Sequence, residues 1–318
     1  MRISFIIPRW PKNSFWDVIA FKFPLLSTSL LAGLTPPHHE LRIIDESLAK
    51  IDFDQEVDLI GITAITPLAP RGYEIADQFR RRGRKVVIGG IHASWLPEEA
   101  KEHSDSVVIG EADEIWARVI EDAERGELKP FYRQEERTDL RHLPIPRRDL
   151  FPRKGYLFHN LIQTTRGCPF DCEFCSVTAL HGKTYRMRPV SEVEKEIHSL
   201  ERSKAYIFFV DDNLVGNLSH AKELLTMLTR YRLRWVSQGP IHIAEDDALV
   251  KLMARAGCHG LFIGFESLRE ENLNLMGKRI NRVEAYGRGI QKLHDAGIGV
   301  HASFVFGYDY DDHSVFDE

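Results

Sequence analysis

Short apolar runs separated by stretches of helical length recur through the first third of the chain. Arg2 to Pro8, Leu41 to Asp45, Asp58 to Thr66, Val86 to Ile91 and Ser106 to Gly110 are too short and too uniformly apolar for amphipathic helices. Their branched side chains suit strands covered on both faces. Tyr73 to Phe79 carries helical spacing ahead of a basic run, Arg80 to Lys85. Strands that alternate with helices predict an open parallel α/β sheet, and such sheets bind ligands at the carboxyl ends of their strands.

A second series begins at Leu161. Leu161 to Thr165, Tyr206 to Val210, Leu233 to Gln238, Gly260 to Ser267 and Gly299 to Gly307 read as five parallel strands. Ser191 and Glu194 form an S-x-x-E capping box that opens a helix running towards Ser203. Leu224, Leu225 and Leu228 share one face of a helix from Ala221 to Tyr231, a helix through Leu249, Leu252 and Met253 ends at Gly257, and one carrying Val283, Tyr286, Ile290 and Leu293 ends at Gly297. Between the two series Pro130, Pro144, Pro146 and Pro152 are interleaved with charges of both signs, which predicts a linker. The expected organisation is a first domain over 1–127, a linker over 128–155 and a second domain over 156–318.

Composition narrows the field. With 318 residues, 43% hydrophobic and 28% charged, the chain can bury cores for two domains. A formal charge of -5 and the lack of a long basic block argue against a nucleic-acid partner. No apolar run is long enough for a membrane span and no export signal opens the chain. Of four cysteines, three lie in one loop, a usage that fits the reducing cytoplasm.

That loop is RGCPFDCEFC, Arg166 to Cys175, which spaces Cys168, Cys172 and Cys175 as C-x3-C-x2-C with Phe174 before the last. Three soft thiolates so close together favour zinc, copper(I) or an iron-sulfur cluster. A structural zinc closes with four ligands; Cys258 is the only other cysteine, and His159 and His181 flank the loop as possible completers. The spacing, the aromatic and the position after an apolar run resemble the signature of the radical S-adenosylmethionine (radical SAM) superfamily. The resemblance implies a 4Fe-4S cluster on the three cysteines, with one iron left to the amino and carboxylate groups of SAM, and reductive cleavage of SAM to a 5'-deoxyadenosyl radical. It also implies a partial barrel of six strand-helix units, so the expected core is truncated after about five strands.

The strand ends supply candidates for the rest of the site. Asp211 and Asp212 in VDDN are placed to meet the SAM amino group, and Gln238, Glu266 and Ser267 to meet its ribose or amino-acid end, with Phe174 beside them. Glu266 stands out because a carboxylate after LFIGF is costly unless paired. Arg186 to Pro189, RMRP, suits a phosphate or carboxylate as well as the charged start of a helix. Cys258 reads as a small buried hydrophobe.

In the first series Thr63, Thr66, Gly89, Gly90, His92, Gly110 and Glu111 lie at successive strand ends. With the Pro-rich opening loop they resemble the flavodoxin-like (Rossmann-type) cobalamin-binding domain that precedes many radical SAM domains. The loop PRWPKNSFWD holds no histidine, which implies a base-off cobalamin; His92 is a possible substitute ligand, and Trp10, Phe15 and Trp16 a possible lining. The combined resemblance implies a cobalamin-dependent enzyme that methylates an unactivated carbon of a small-molecule substrate, with an external electron donor of flavodoxin or ferredoxin type. Cyclisation or rearrangement, with or without cobalamin, is one alternative. A non-catalytic corrinoid or iron-sulfur sensor is another.

Overall fold

The computed structural model describes residues 1–14, 16, 23–152, 154–200 and 206–317. Phe15 and Ser203 lie outside them. The chain divides into two compact units, Met1–His159 and Asn160–Glu318. Among the described residues no helix is long and apolar enough to cross a membrane.

The first unit runs β1 (Arg2–Ile7), α1 (Leu26–Leu34), β2 (Glu40–Asp45), β3 (Leu59–Thr63), α2 (Ala69–Arg81), β4 (Lys85–Gly89), α3 (Ile91–Trp95), α4 (Pro97–Glu102), β5 (Ser106–Ile109), α5 (Trp116–Arg125) and β6 (Phe131–Arg133). The strands pair in the order β2-β1-β3-β4-β5-β6, every pair parallel. The two-residue period of a strand splits β1 between two cores. Ile3, Phe5 and Ile7 pack with Trp116, Val119 and Ile120 of α5, whereas Ile6 packs with Ile60, Ile62 and Tyr73, Ile75 and Phe79 of α2. Both faces are thereby covered, and the apolar runs are explained. The winding reverses between β1 and β3, the kind of switch point at which open sheets bind ligands. In the segment expected as a linker, Phe131–Arg133 instead adds an edge strand to the sheet through Val107 to Ile109. Prolines are tolerated beside an edge because no further ladder needs their N–H.

The second unit runs β7 (Asn160–Ile162), β8 (Thr165–Gly167), α6 (Ser176–His181), β9 (Tyr185–Met187), α7 (Val190–Ser199), β10 (Tyr206–Phe209), α8 (Leu218–Leu228), β11 (Arg234–Gln238), α9 (Asp247–Arg255), β12 (Cys258–Glu266), α10 (Glu270–Leu275), α11 (Val283–Asp295) and β13 (Gly299–Phe304). Its main sheet is parallel and sequential, β7-β10-β11-β12-β13. Ile207, Phe209, Trp235, Leu261, Ile263 and Phe265 bury against Leu224, Leu228, Leu249, Met253 and Leu293 of the helices. The alternate positions carry Phe208, Phe262 and His301, whose rings form a row with centroids 5.5 and 4.8 Å apart.

Two local expectations are corrected here. Leu161 to Thr165 is not one strand: the chain leaves the sheet after Ile162, and Thr165–Gly167 pairs antiparallel with Tyr185–Met187. The S-x-x-E box does not cap its helix. The helix already begins at Val190, Pro189 holds the cap position without a side-chain bond, and Glu194 instead accepts from Tyr231 Oη at 2.6 Å and pairs with Arg230 at 2.8 Å. Arg188 of RMRP is buried as the partner of Glu196, at 2.6 Å.

Candidate active site

The cysteine loop starts from a conformation that glycine permits. Gly167, at the end of β8, has φ +94°, and a Cβ there would come within 2.2 Å of the Thr184 carbonyl oxygen. Gly167 therefore allows β8 and β9 to close while the chain turns into Cys168. Its N–H donates to Asp212 Oδ2 at 3.0 Å, and Asn213 Nδ2 lies 3.8 Å from Cys168 Sγ. Further along, Cys175 N donates to Cys172 O at 3.0 Å and Glu173 N to Met276 O at 3.0 Å, which fastens the loop to the segment after α10.

Asp211 lies elsewhere than expected. It is fully buried, and its Oδ1 accepts from Thr164 N and Oγ1 at 2.9 and 3.0 Å, from Thr165 Oγ1 at 2.7 Å and from Thr165 N. The carboxyl group fixes the crossing between β7 and β8 and presents no face to a ligand. Its Oδ2 has no hydrogen-bond partner among the described residues, and burial pushes its pKa up to about 6. Asp212, half-exposed beside it, remains available.

Glu266 closes β12 with φ +68°, a left-handed conformation that costs a non-glycine residue about 1–2 kcal/mol. Its carboxylate pairs with Lys278, both side chains nearly shut off from water. Lys278 also lies 5.9 Å from the ring centroid of Phe174, which is exposed. Burial raises the thiol pKa of Cys168 and Cys172, and at Cys172 the nearby Lys278 charge acts in the opposite direction. Ser267 Oγ accepts from Arg269 N at 3.1 Å and stands 3.4 Å from Asn272 Nδ2. Gln238 ends β11 in register with Phe262. The cysteine loop, Asp212, Gln238, Glu266 and Ser267 thus follow the carboxyl ends of β7, β10, β11 and β12. Lys278 was not singled out in the sequence, and neither was Asn281, whose Nδ2 holds the Gly264 and Phe265 carbonyls at 3.0 Å each.

The donor set, three thiolates on one loop, is of the soft kind that iron-sulfur clusters and zinc take. His181 Nδ1 stands 3.5 Å from Arg186 and His159 beside Tyr156, with ring centroids 6.3 Å apart. Cys258 is buried near the amino end of β12, and burial pushes its thiol up to about 12.

In the first unit the candidates gather at the carboxyl ends of β3, β4 and β5. Gly90 has φ +100°, and a Cβ there would meet Thr63 Oγ1 at 2.8 Å. Thr66 Oγ1 is 3.2 Å from His92 Nδ1, while His92 Nε2 is 3.1 Å from Glu99 Oε1. His92 is buried, and its two ring nitrogens face Thr66 and Glu99. Gly89 ends β4. Gly110 N donates to Ser94 Oγ at 2.9 Å, Ser94 Oγ donates to Gly90 O at 2.8 Å, and Glu111 N donates to Gln134 Oε1 at 2.9 Å. Trp10 and Trp16 stack at 5.7 Å.

A parallel sheet that carries a three-cysteine loop after its first strand and polar groups after the next three defines a class, and comparison with known families agrees: the chain belongs to the radical SAM superfamily, whose family model matches residues 162–317. It is 33% identical over 298 residues to the bacteriochlorophyllide d C-8(2)-methyltransferase of Chlorobaculum tepidum, covering 88% of this chain and 66% of that one. It is 25% identical over 332 residues to the hopanoid C-2 methylase of Rhodopseudomonas palustris, covering 98% and 63%. The chain thus spans about two thirds of the length of these relatives. Among solved structures it resembles the radical S-adenosylmethionine methyltransferase TsrM of Kitasatospora setae, with a TM-score of 0.77 at 20% identity over 99% of this chain and 69% of that one. TsrM has also been solved with cobalamin and a 4Fe-4S cluster bound.

Proposed function

We propose that the protein is a cobalamin-dependent radical SAM methyltransferase acting on a carbon of a small molecule. The observation that carries this reading is the loop Cys168, Cys172 and Cys175 at the carboxyl end of a parallel sheet, anchored by Gly167, Asp212 and Asn213. Cys168, Cys172 and Cys175 would hold a 4Fe-4S cluster, and the 1–127 region would hold cobalamin. Together these groups supply one-electron cleavage of SAM and carriage of a methyl group.

The chain's own residues bind and orient. Asp212 offers a half-exposed carboxylate to the SAM ammonium, and Gln238 and Ser267 offer hydrogen-bonding groups. Lys278 and Glu266 set the charge beneath Phe174 and Cys172. The row Phe208, Phe262 and His301 offers ring faces and edges to an apolar or planar substrate. In the first unit Thr63, Thr66, Gly89, Gly90, Gly110 and Glu111 lie at or just past the carboxyl ends of β3, β4 and β5, where open parallel sheets bind ligands, and the absence of histidine from the opening loop supports base-off binding. The reading entails an external electron donor of flavodoxin or ferredoxin type and the reducing conditions of the cytoplasm.

The test is anaerobic incubation of the reconstituted protein with SAM and a reductant, followed by assay for 5'-deoxyadenosine and S-adenosylhomocysteine. Both are expected from wild type, and 5'-deoxyadenosine is expected to be lost in Cys172→Ala. Formation of neither by cofactor-loaded wild type would favour the sensor reading.

A further inference from the structure

At the amino ends of β1 and β2, opposite the strand ends that carry the cofactor candidates, three ligating side chains converge. His38 and His39 precede β2, and Glu124 lies in the last turn of α5. The Nε2 atoms of both histidines lie 3.5 Å from the same oxygen, Glu124 Oε1, and the three ligand atoms all fall within 4.8 Å of one another. The imidazoles are tilted with centroids 4.0 Å apart. A tetrahedral zinc with bonds of about 2.0–2.1 Å separates its ligand atoms by about 3.3 Å, close to both nitrogen-oxygen separations here.

A second observation is independent of that spacing. The His39 side chain is 0% exposed, and its Nε2 has no hydrogen-bond partner among the described residues. A buried nitrogen without a hydrogen bond is costly, and this one faces the Glu124 carboxylate at 3.5 Å. We propose that His38, His39 and Glu124 form a zinc site, with the fourth position open to water. Two imidazoles and a carboxylate are ligands this borderline cation accepts. The site joins the start of β2 to the end of α5 and so fastens the covering helix to the sheet.

His39 Nδ1 lies 3.1 Å from the Met1 amino nitrogen.

The test uses the full chain with its cysteines occupied by reconstituted cluster, titrated with zinc in competition with a chromophoric chelator. A single additional zinc per chain is expected, with only nitrogen and oxygen neighbours in its X-ray absorption spectrum and a higher melting temperature on binding. His38→Gln and Glu124→Gln, both at exposed positions, should each weaken binding by at least about tenfold with an unchanged circular dichroism spectrum. No zinc uptake by the cluster-loaded chain, sulfur in the coordination shell, or zinc affinity indifferent to both substitutions would overturn the proposal.

Discussion

Lys278 and Glu266 form an ion pair in which 12% and 8% of the side chains remain exposed, at the end of β12 where Glu266 takes a left-handed backbone conformation. A residue held in so sparse a region persists where its surroundings fix it, and such residues gather at functional sites. Removing one partner of a buried pair costs about 3–5 kcal/mol, because the other charge is left uncompensated. Lys278→Met is therefore expected to lower stability by an amount of that order and to weaken iron retention, since its charge also faces Cys172. The double variant Lys278→Met with Glu266→Gln should recover much of the stability. A denaturation-based double-mutant cycle checks this, and strictly additive losses would contradict it.

Asp211 makes a pH-dependent prediction of opposite sign to an ordinary ion-paired carboxylate. Burial raises its pKa from 3.8 to about 6, so between those values the folded chain binds more protons than the unfolded one. Its contribution to stability is thus lost as pH rises through about 6, by up to about 3 kcal/mol. Asp211→Asn keeps an acceptor for Thr164 and Thr165 and does not ionise. Its stability relative to wild type should increase from about pH 4 to pH 7.5, measured by denaturation at each pH. A constant difference across that range would show that Asp211 does not titrate there.

Gly167→Ala places a methyl group against the Thr184 carbonyl at φ +94°. The β8–β9 ribbon must shift, and Cys168 with it. Iron content after reconstitution should fall well below that of wild type. Gly126→Ala, at φ +73° with open space around it, serves as a control that keeps wild-type iron.

Cys258 should stand apart from the other three cysteines. Its raised pKa and burial leave little thiolate, so alkylation of the cluster-free folded protein near neutral pH should modify Cys168, Cys172 and Cys175 first. Cys258→Ala should leave iron content unchanged, as iron assay and mass mapping of the alkylated peptides would show.

The parallel strands were legible because a strand covered on both faces must be apolar throughout, and the turn residues between them mark their ends. The cysteine loop was legible because ligand spacing is local. Asp211 departs from the expected ligand-facing position, although the sequence carries a signal: it falls in step with Ile207 and Phe209, the residues that point into the core. The ribbon of β8 and β9 was missed because each strand is three residues long and the pairing crosses the whole cysteine loop. The capping box matched a pattern whose backbone context was absent. Lys278 carried no mark at all. Its role follows from a turn that returns the chain beneath Cys172, a contact no local pattern encodes.

The most direct test of the two-cofactor reading is the cofactor content of the chain after anaerobic reconstitution with iron, sulfide and hydroxocobalamin, read by metal analysis and the visible spectrum. About four irons and one cobalamin with a base-off spectrum are predicted, the iron lost in Cys172→Ala. Zinc in place of iron on the three cysteines, or iron with no cobalamin retained, would contradict the account.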